Sequence, residues 1–155
     1  HILRVPGIYS INRLPIQRLL KKIPVLKKEE DVYTNHIHES DLARAAYLAL
    51  FRGRRSRITN VVDNSDLKMS DYMDLVASAT GLEKPDRASL AKLNQLATKG
   101  LISNMAISFL QDSRRVKGER LVKELGLNLI YPNVQDFVNK NRKQLSAIRQ
   151  QMPSR

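Results

Sequence analysis

The chain contains no cysteine, and this absence removes several kinds of chemistry. Without thiols it cannot form disulfides, zinc–thiolate sites or a thiol nucleophile. A sequence without cysteine fits a reducing compartment, so we expect a cytoplasmic protein. No apolar run approaches the roughly 18 residues that a membrane-spanning helix needs, and we therefore expect no membrane partner.

Two sequence patterns of cofactor enzymes are also missing. The six glycines are too far apart for a G-x-G-x-x-G or Walker loop, in which backbone N–H groups cradle phosphates. None of the five tyrosines is followed four residues later by lysine, so there is no Tyr-x-x-x-Lys pair. The printed sequence therefore holds neither a phosphate-binding loop nor a phenol–ammonium pair of its own.

Positive charge, by contrast, is abundant. The chain has 27 lysine and arginine residues against 15 acidic ones, a net charge of +12. Such a balance raises nucleic acid or a phosphorylated ligand as partners, but the basic residues are spread out, which favours a solvated surface. A helix-turn-helix reading of the C-terminal helices places Gln135 and Asp136 where base-reading residues belong, and Asp136 would repel phosphate. We therefore do not favour nucleic acid as the partner.

The region from 36 to 64 organises the chain. Its first half has the apolar spacing of a helix with one buried face. The residues at that spacing are Leu42, Ala45, Ala46, Ala49 and Leu50. Ser40 can cap the first turn and Gly53 stands where the helix should end. Residues 58–62 then read as a β-branched strand, and a strand directly after a helix predicts a βα unit of a parallel sheet.

A pair of histidines is the best metal-like feature of the sequence. His36 and His38 are two residues apart, so on a strand both side chains point the same way. Glu39 and Asp41 follow closely, but a zinc site needs three or four convergent ligands and the only other histidine is His1. We therefore expect no metal site, and expect one histidine to hydrogen-bond across a strand–helix junction instead.

Helical patterns dominate the remainder of the chain. One helix should be capped by Ser70 and end at Gly81, and the last one should begin at Asn133, with Asp136 in the capping-box position. Beyond Asn139 the chain is polar and basic, which predicts fraying. The predicted domains are 1–64, with the last strands and the central helix; 65–139, a mainly helical lobe; and 140–155, a basic frayed tail.

Four motifs occur in order along nearly the whole chain, to about Asn139. They are Leu3-Arg4-Val5-Pro6-Gly7-Ile8-Tyr9, then Asn35-His36-Ile37-His38-Glu39-Ser40-Asp41-Leu42-Ala43-Arg44-Ala45, then Thr59-Asn60-Val61-Val62-Asp63, and Glu124-Leu125-Gly126 with Tyr131-Pro132. In this order and spacing they resemble the C-terminal half of an NAD(P)-dependent epimerase/dehydratase, in the extended or atypical branch of the short-chain dehydrogenase/reductase superfamily.

The resemblance implies an α/β fold. The chain would form the C-terminal part of a Rossmann-type doubly wound fold, with the last strands of the parallel sheet and a mostly helical substrate-binding lobe. The N-terminal cofactor-binding half, with its glycine-rich loop and its Tyr-x-x-x-Lys pair, would lie upstream of His1 and be absent from this chain.

The resemblance also assigns roles around the first strand. The backbone of Pro6, Gly7 and Ile8 would contact the nicotinamide end of NAD or NADP. The loop through Tyr9 and Arg13 would border the substrate. No catalytic residue would lie in this chain, because the family's acid/base tyrosine and its lysine belong to the missing half.

A second implied position and two departures bear on the substrate. His38 and Asp41 match the family's His-x-x-Asp at the start of the central helix, where they order a structural junction. Many sugar-nucleotide enzymes of the family have an arginine four residues before that histidine, and this chain has Thr34. Ser10 and Ile11 stand where the family commonly has Gly-Pro. These departures favour the atypical branch over a nucleotide-sugar substrate.

The resemblance implies an enzyme only for the complete protein. That protein would be an NAD(P)-dependent oxidoreductase or epimerase, whereas this segment alone would be inactive and would bind no cofactor tightly. Its partner would be the missing N-terminal half, or a second copy of the chain in a homodimer, together with a small-molecule substrate whose identity the sequence leaves open. The alternatives are a basic nucleic-acid-binding module and a non-catalytic interaction module.

Overall fold

The computed structural model describes residues 1–150 and has eight short strands and eight helices in that range. The strands are β1 (Ile2–Arg4), β2 (Gly7–Tyr9), β3 (Val25–Leu26), β4 (Tyr33–Thr34), β5 (His36–His38), β6 (Ile58–Asn60), β7 (Leu67–Lys68) and β8 (Arg87–Ala88). The helices are α1 (Ile16–Leu20), α2 (Glu39–Arg52), α3 (Met69–Thr80), α4 (Leu90–Thr98), α5 (Asn104–Gln111), α6 (Glu119–Lys123), α7 (Val134–Lys140) and α8 (Arg142–Gln150). A 3-10 turn follows β2 at Ile11–Arg13. None of these helices has the length and apolar character that crossing a membrane requires.

The chain divides into two compact units, each assembled from three separate segments. The first unit comprises residues 1–14, 35–66 and 115–140, and the second comprises residues 15–34, 67–114 and 141–150. The sequence predicted domains that follow one another along the chain, whereas the observed units interleave. Hydrophobic periodicity marks elements but not the long-range contacts that group them, so this interleaving left no local signal.

Parallel strand pairs form the framework of the first unit. β1 pairs with β6, with Ile2 opposite Ile58, and β2 pairs with β5, with Tyr9 opposite His38. Parallel pairing with a helix between strands is the arrangement of α/β folds. The predicted α/β class with parallel strands is therefore confirmed.

Helix α2 runs for 14 residues between β5 and β6. The predicted N-cap was Ser40, but the helix begins two residues earlier than that cap implies, and the N-cap is His38, whose side chain accepts a hydrogen bond from the Ser40 N–H. The predicted end is confirmed, since Gly53 is the C-cap and its N–H donates to the Ala49 carbonyl.

The buried face of α2 is narrower than the sequence predicted. Ala45 is fully buried, but Leu50 is 80% exposed. Apolar residues occur on both sides of this helix, so spacing alone could not identify the inner one. The inner face packs in a core formed by residues of two segments of the first unit: Ile37, Ala45, Val61, Leu121, Leu125 and Leu127.

The second unit contains a parallel pair, β3 with β8, an antiparallel pair, β4 with β7, and most of the helices. Its buried core residues are Leu26, Val32, Ala88, Leu93, Ile102, Ile107 and Leu110. Helix α3 ends at Gly81, which adopts a left-handed conformation (φ 68°), as the sequence predicted. Ser70 lies inside this helix, which starts at Met69, and its hydroxyl donates to Asp31 instead of capping.

The predicted frayed tail differs from the structure. Residues Arg142–Gln150 form α8, which packs on α3, and the Leu145 side chain has no exposed surface. One leucine among basic and polar residues is a weak local signal, yet it suffices when a neighbouring helix offers an apolar face. Residues 151–155 of the predicted tail lie outside the described residues.

Candidate functional site

Four aromatic rings meet in the first unit, beside the β2–β5 pair. Tyr9 ends β2 and is fully buried, and its ring centroid lies 5.3 Å from that of His38 and 5.2 Å from that of Phe137. The Tyr131 centroid is 4.1 Å from that of His38. Edge-on and tilted contacts at these distances are favourable for aromatic pairs. We call Tyr9, His38, Tyr131 and Phe137 the aromatic cluster.

Asp41 joins the central helix to the C-terminal segment of the unit. Its carboxylate is fully buried and accepts hydrogen bonds from the backbone N–H groups of Ile130 at 2.8 Å and Tyr131 at 3.0 Å. Arg44 donates to the same carboxylate at 3.1 Å and also to the Asn128 carbonyl at 2.7 Å. Asp41 thus accepts hydrogen bonds from two backbone N–H groups that lie outside the strands and helices. These bonds hold Tyr131 in contact with His38.

His38 has a structural partner on its own helix. Its Nδ1 accepts from the Ser40 N–H at 3.2 Å, which requires that this nitrogen carry no proton. Burial lowers the pKa of His38, while Asp41 and Glu39 act in the opposite direction. The predicted junction role of His38 and Asp41 therefore has a geometric counterpart in this structure.

Asp63 is the most perturbed carboxylate of the first unit. Burial raises its pKa to about 6, although hydrogen bonds from Ser65 and from the Tyr9 hydroxyl oppose the rise. The Ser65 N–H donates to its Oδ1 at 2.8 Å. Asp63 follows the β6 strand at its carboxyl end, the end where parallel sheets hold their ligands.

The backbone of His36 is hydrogen-bonded to the backbone of Asp63. The Asp63 N–H donates to the His36 carbonyl at 2.8 Å, and burial lowers the pKa of the His36 imidazole to about 4. No group of three histidine or acidic side chains within residues 1–150 is placed to hold a metal ion. His36 and His38 both lie in the interior, 4% and 5% exposed, at the strand–helix junction.

The predicted cofactor and substrate residues occupy different surroundings. Gly7 is exposed, Pro6 and Ile8 are half-buried, and the Gly7 N–H donates to the Asn35 carbonyl at 3.2 Å. Arg13 is exposed at the end of the 3-10 turn, whereas the Tyr9 side chain has no exposed surface. Only Arg13 of the predicted substrate pair is therefore open to a ligand in this structure.

Sequence reasoning gave no role to three residues of the site. Asp63 was quoted only within a motif, although a carboxylate directly after a β-branched strand signals the ligand end of a parallel sheet. Tyr131 and Phe137 carry no such signal, because only the folded chain brings them to His38.

Solved structures provide the comparison with known proteins. No protein-family model and no curated protein matches the chain. A functionally unknown conserved protein from Silicibacter pomeroyi is similar in structure, with a TM-score of 0.72 and 24% identity over 93% of this chain and 48% of that chain. The human epimerase family protein crystallised with NADPH has a TM-score of 0.68 and 14% identity, over 91% of this chain and 47% of that chain.

A bacterial enzyme shows the same relation. A nucleoside-diphosphate-sugar epimerase from Pseudomonas aeruginosa has a TM-score of 0.68 and 19% identity, over 97% of this chain and 48% of that chain. The chain thus spans about half the length of the solved structures that it matches. It has the fold of that half of an epimerase structure, which agrees with the predicted C-terminal part of a Rossmann-type fold.

Proposed function

We propose that this chain is the substrate-side part of an NAD(P)-dependent oxidoreductase or epimerase. The observation that carries the proposal is the likeness of nearly the whole chain to about half of an epimerase structure. The motif order supports the C-terminal half, since its first motif lies at β1 and β2 and its last lies before α7. The activity belongs to the complete protein, and this segment alone is inactive.

The cofactor of the complete protein is NAD or NADP. The human relative was crystallised with NADPH. This chain offers no glycine-rich loop for the phosphates, but its exposed Gly7 gives a ligand access to the backbone between the half-buried Pro6 and Ile8. Pro6, Gly7 and Ile8 are suited to contact the nicotinamide end of the cofactor but not its phosphates. The bound nicotinamide supplies or accepts the hydride, and the surrounding backbone orients its ring.

Substrate contacts in this proposal come from the segment after β2. Arg13 is exposed and follows the buried Tyr9, so its guanidinium can meet a substrate while Tyr9 anchors the segment to the aromatic cluster. Asp41 and His38 position that cluster and do not touch substrate. The Tyr9 hydroxyl lowers the pKa of the nearby Asp63 carboxyl, and on this basis Asp63 is proposed as a second positioning group.

The partner in this proposal is a polypeptide that carries the cofactor half. An affinity-tagged form of the chain, purified from its own cells and analysed by intact mass spectrometry, should contain a second segment with a glycine-rich loop. The purified material should then bind NADH or NADPH, measured by the change in nicotinamide fluorescence. The substitution Gly7→Val should weaken that binding, whereas Lys123→Ala, on exposed α6, should leave it unchanged.

Two results would contradict the proposal. One is measurable turnover of a carbonyl or alcohol substrate by the verified 155-residue chain alone. The other is a purified sample that contains only this chain and binds neither nicotinamide cofactor. A Cβ at Gly7 would lie 3.3 Å from the Asn35 carbonyl oxygen, so circular dichroism of both variants is needed to distinguish a lost cofactor contact from a general loss of fold.

A further inference from the structure

Arg18 lies on α1 in the second unit and is held at the chain reversal that follows this helix. Its Nη2 donates to the Pro24 carbonyl at 3.4 Å, and its own carbonyl accepts from the Ile23 N–H at 3.2 Å. Between them Lys22 adopts a left-handed conformation with φ 50°, which closes the reversal. The guanidinium is therefore held against a fixed turn.

This guanidinium has no acidic partner among residues 1–150. None of the ion pairs formed within residues 1–150 includes Arg18, and its Nε is buried with no acceptor. The single contact to Pro24 leaves most of its five N–H donors unused. Burial accordingly lowers the pKa of Arg18, and no carboxylate acts to raise it. A shielded cation without an anion is unfavourable unless a ligand supplies one.

Asp74 on α3 and Glu83, which follows α3, form ion pairs with other cations, although Asp74 Oδ1 is buried without a hydrogen-bond partner among residues 1–150. Asp74 pairs with Arg87 at 2.8 Å and with Lys84 at 3.8 Å, and Glu83 pairs with Lys22 at 3.1 Å. These pairs neutralise other cations of the second unit and leave Arg18 unpaired.

The surrounding sequence adds positive charge. Residues 15–28 contain five cationic side chains and no acidic one. The cations are Arg18, Lys21, Lys22, Lys27 and Lys28. Lys22 is paired with Glu83, and Glu29, Glu30 and Asp31 follow directly, so the net positive charge that attracts anions is smaller than these five cations suggest. Because Arg18 is only half-buried, a small ligand can still reach its outer nitrogens.

We infer that Arg18 is an oxyanion-binding residue, which takes the phosphate or carboxylate group of a small ligand in the second unit. A planar guanidinium offers two parallel N–H groups that match two oxygens of either group. The inference stands on the unpaired, half-buried side chain and its cationic surroundings, and it does not depend on the proposed enzyme activity.

The test is a calorimetric titration of the 155-residue chain with inorganic phosphate and with malonate, each at the same ionic strength set with chloride. Wild type should bind one of the two. The variant Arg18→Met should bind that anion at least about tenfold more weakly, because the bidentate contact is lost. The control variant Lys21→Met removes one neighbouring exposed charge, and its affinity should stay within about twofold of wild type.

Each outcome decides the matter. Preference for phosphate identifies a phosphorylated ligand, and preference for malonate identifies a carboxylate ligand.

The melting temperature of Arg18→Met without anion should be higher than that of wild type, because an unpaired shielded charge is removed. If wild type binds neither anion, or if Arg18→Met and Lys21→Met weaken binding equally, the inference is wrong. Should Arg18→Met fail to fold, Arg18→Lys replaces it, with a loss of roughly tenfold expected from the missing fork.

Discussion

At the scale of single residues, two buried ionisable groups of the first unit have opposite shifts. Burial raises the pKa of Asp63 to about 6 and lowers the pKa of His36 to about 4. Each shift favours the neutral form, since an apolar interior penalises charge. The stability that His36 contributes is present above its ordinary pKa of 6.5 and is lost as the pH falls through about 4.

Asp63 has the opposite pH dependence, and Asp63→Asn tests it. Because its folded pKa of about 6 exceeds the ordinary 3.8, its contribution is present below pH 3.8 and is lost as the pH rises through 6. Asparagine never ionises and can still accept from the Ser65 N–H. The variant should therefore gain stability over wild type between pH 5 and pH 8, by about 2 to 3 kcal/mol at the upper end. Urea unfolding at both pH values measures this.

Leu145→Ala provides the control for that measurement. It removes a buried side chain but no ionisable group, so its free-energy difference from wild type should be the same at pH 5 and pH 8. If the free-energy difference between Asp63→Asn and wild type is the same at pH 5 and pH 8, Asp63 is ionised normally in the folded chain and its burial has no electrostatic consequence.

The Asp41 carboxylate gives the largest residue-scale prediction. Asp41→Ala leaves the N–H groups of Ile130 and Tyr131 without their acceptor and Arg44 without its counter-ion. We expect a loss of about 2 to 4 kcal/mol in the free energy of unfolding, because buried unpaired donors are costly. Chemical denaturation measures the loss, and Asp71→Ala, an exposed helical aspartate, should lose less than about 0.5 kcal/mol. Equal losses in the two variants would contradict the junction role of Asp41.

At the scale of elements, one N-terminal cap and two glycine helix ends were predicted correctly, whereas the Ser40 and Ser70 caps were wrong and helix packing was not predicted. Asn133 and Asp136 form the predicted reciprocal cap. The Asp136 N–H donates to Asn133 Oδ1 at 2.8 Å, and the Asn133 side-chain amide donates to the Asp136 carboxylate at 3.0 Å. The two residues of this cap lie within four positions of each other, so the local sequence was sufficient to predict it. Helix α8 depends instead on α3, more than 60 residues away, and no local rule reports that contact.

Leu145→Ala tests whether α8 is held by that contact. Leu145 is fully buried, so its truncation should cost about 2 to 4 kcal/mol of unfolding free energy through lost burial and the cavity left behind. The exposed neighbour Lys143 offers the control, and Lys143→Ala should change stability by less than about 0.5 kcal/mol. Thermal unfolding of both variants gives the comparison. A Leu145→Ala variant as stable as wild type would restore the frayed tail that the sequence predicted.

At the scale of the whole molecule, the motifs predicted the fold class. They did not predict how the chain divides into two compact units. The β-branched residues at 58–62 predicted a strand of a parallel sheet, and that strand is present as β6; the partners in the pairs β1–β6 and β2–β5 were not predicted. The return of Leu121 and Leu125 to the core beneath α2 is a contact across more than 70 residues. The aromatic cluster shows the same limit, since the sequence named His38 and Tyr9 separately but predicted neither their contact nor the approach of Tyr131 and Phe137.

The outer face of α2 is apolar as well, and this feature concerns the assembled molecule. Ala43, Ala46, Tyr47 and Leu50 are exposed at i, i+3, i+4 and i+7, and the Phe51 ring lies 5.1 Å from that of Tyr47. Tyr47, Leu50 and Phe51 are 63%, 80% and 72% exposed. A helix with apolar residues on both sides is typical of one that is covered on both sides.

The isolated chain should therefore associate with itself through this face. We expect light scattering of the wild-type chain to show a dimer or larger species, and Leu50→Asp to shift it toward the monomer, because a charge on an apolar contact face opposes its burial. Val122→Asp is the matched control: Val122 is 53% exposed on α6 in the same unit, and its substitution should leave the mass distribution unchanged.

A monodisperse wild-type monomer would contradict the prediction, and an equal shift by both variants would assign the association to general charge instead of to α2. Suppression of the association by a co-purified cofactor half would place that partner on the same face.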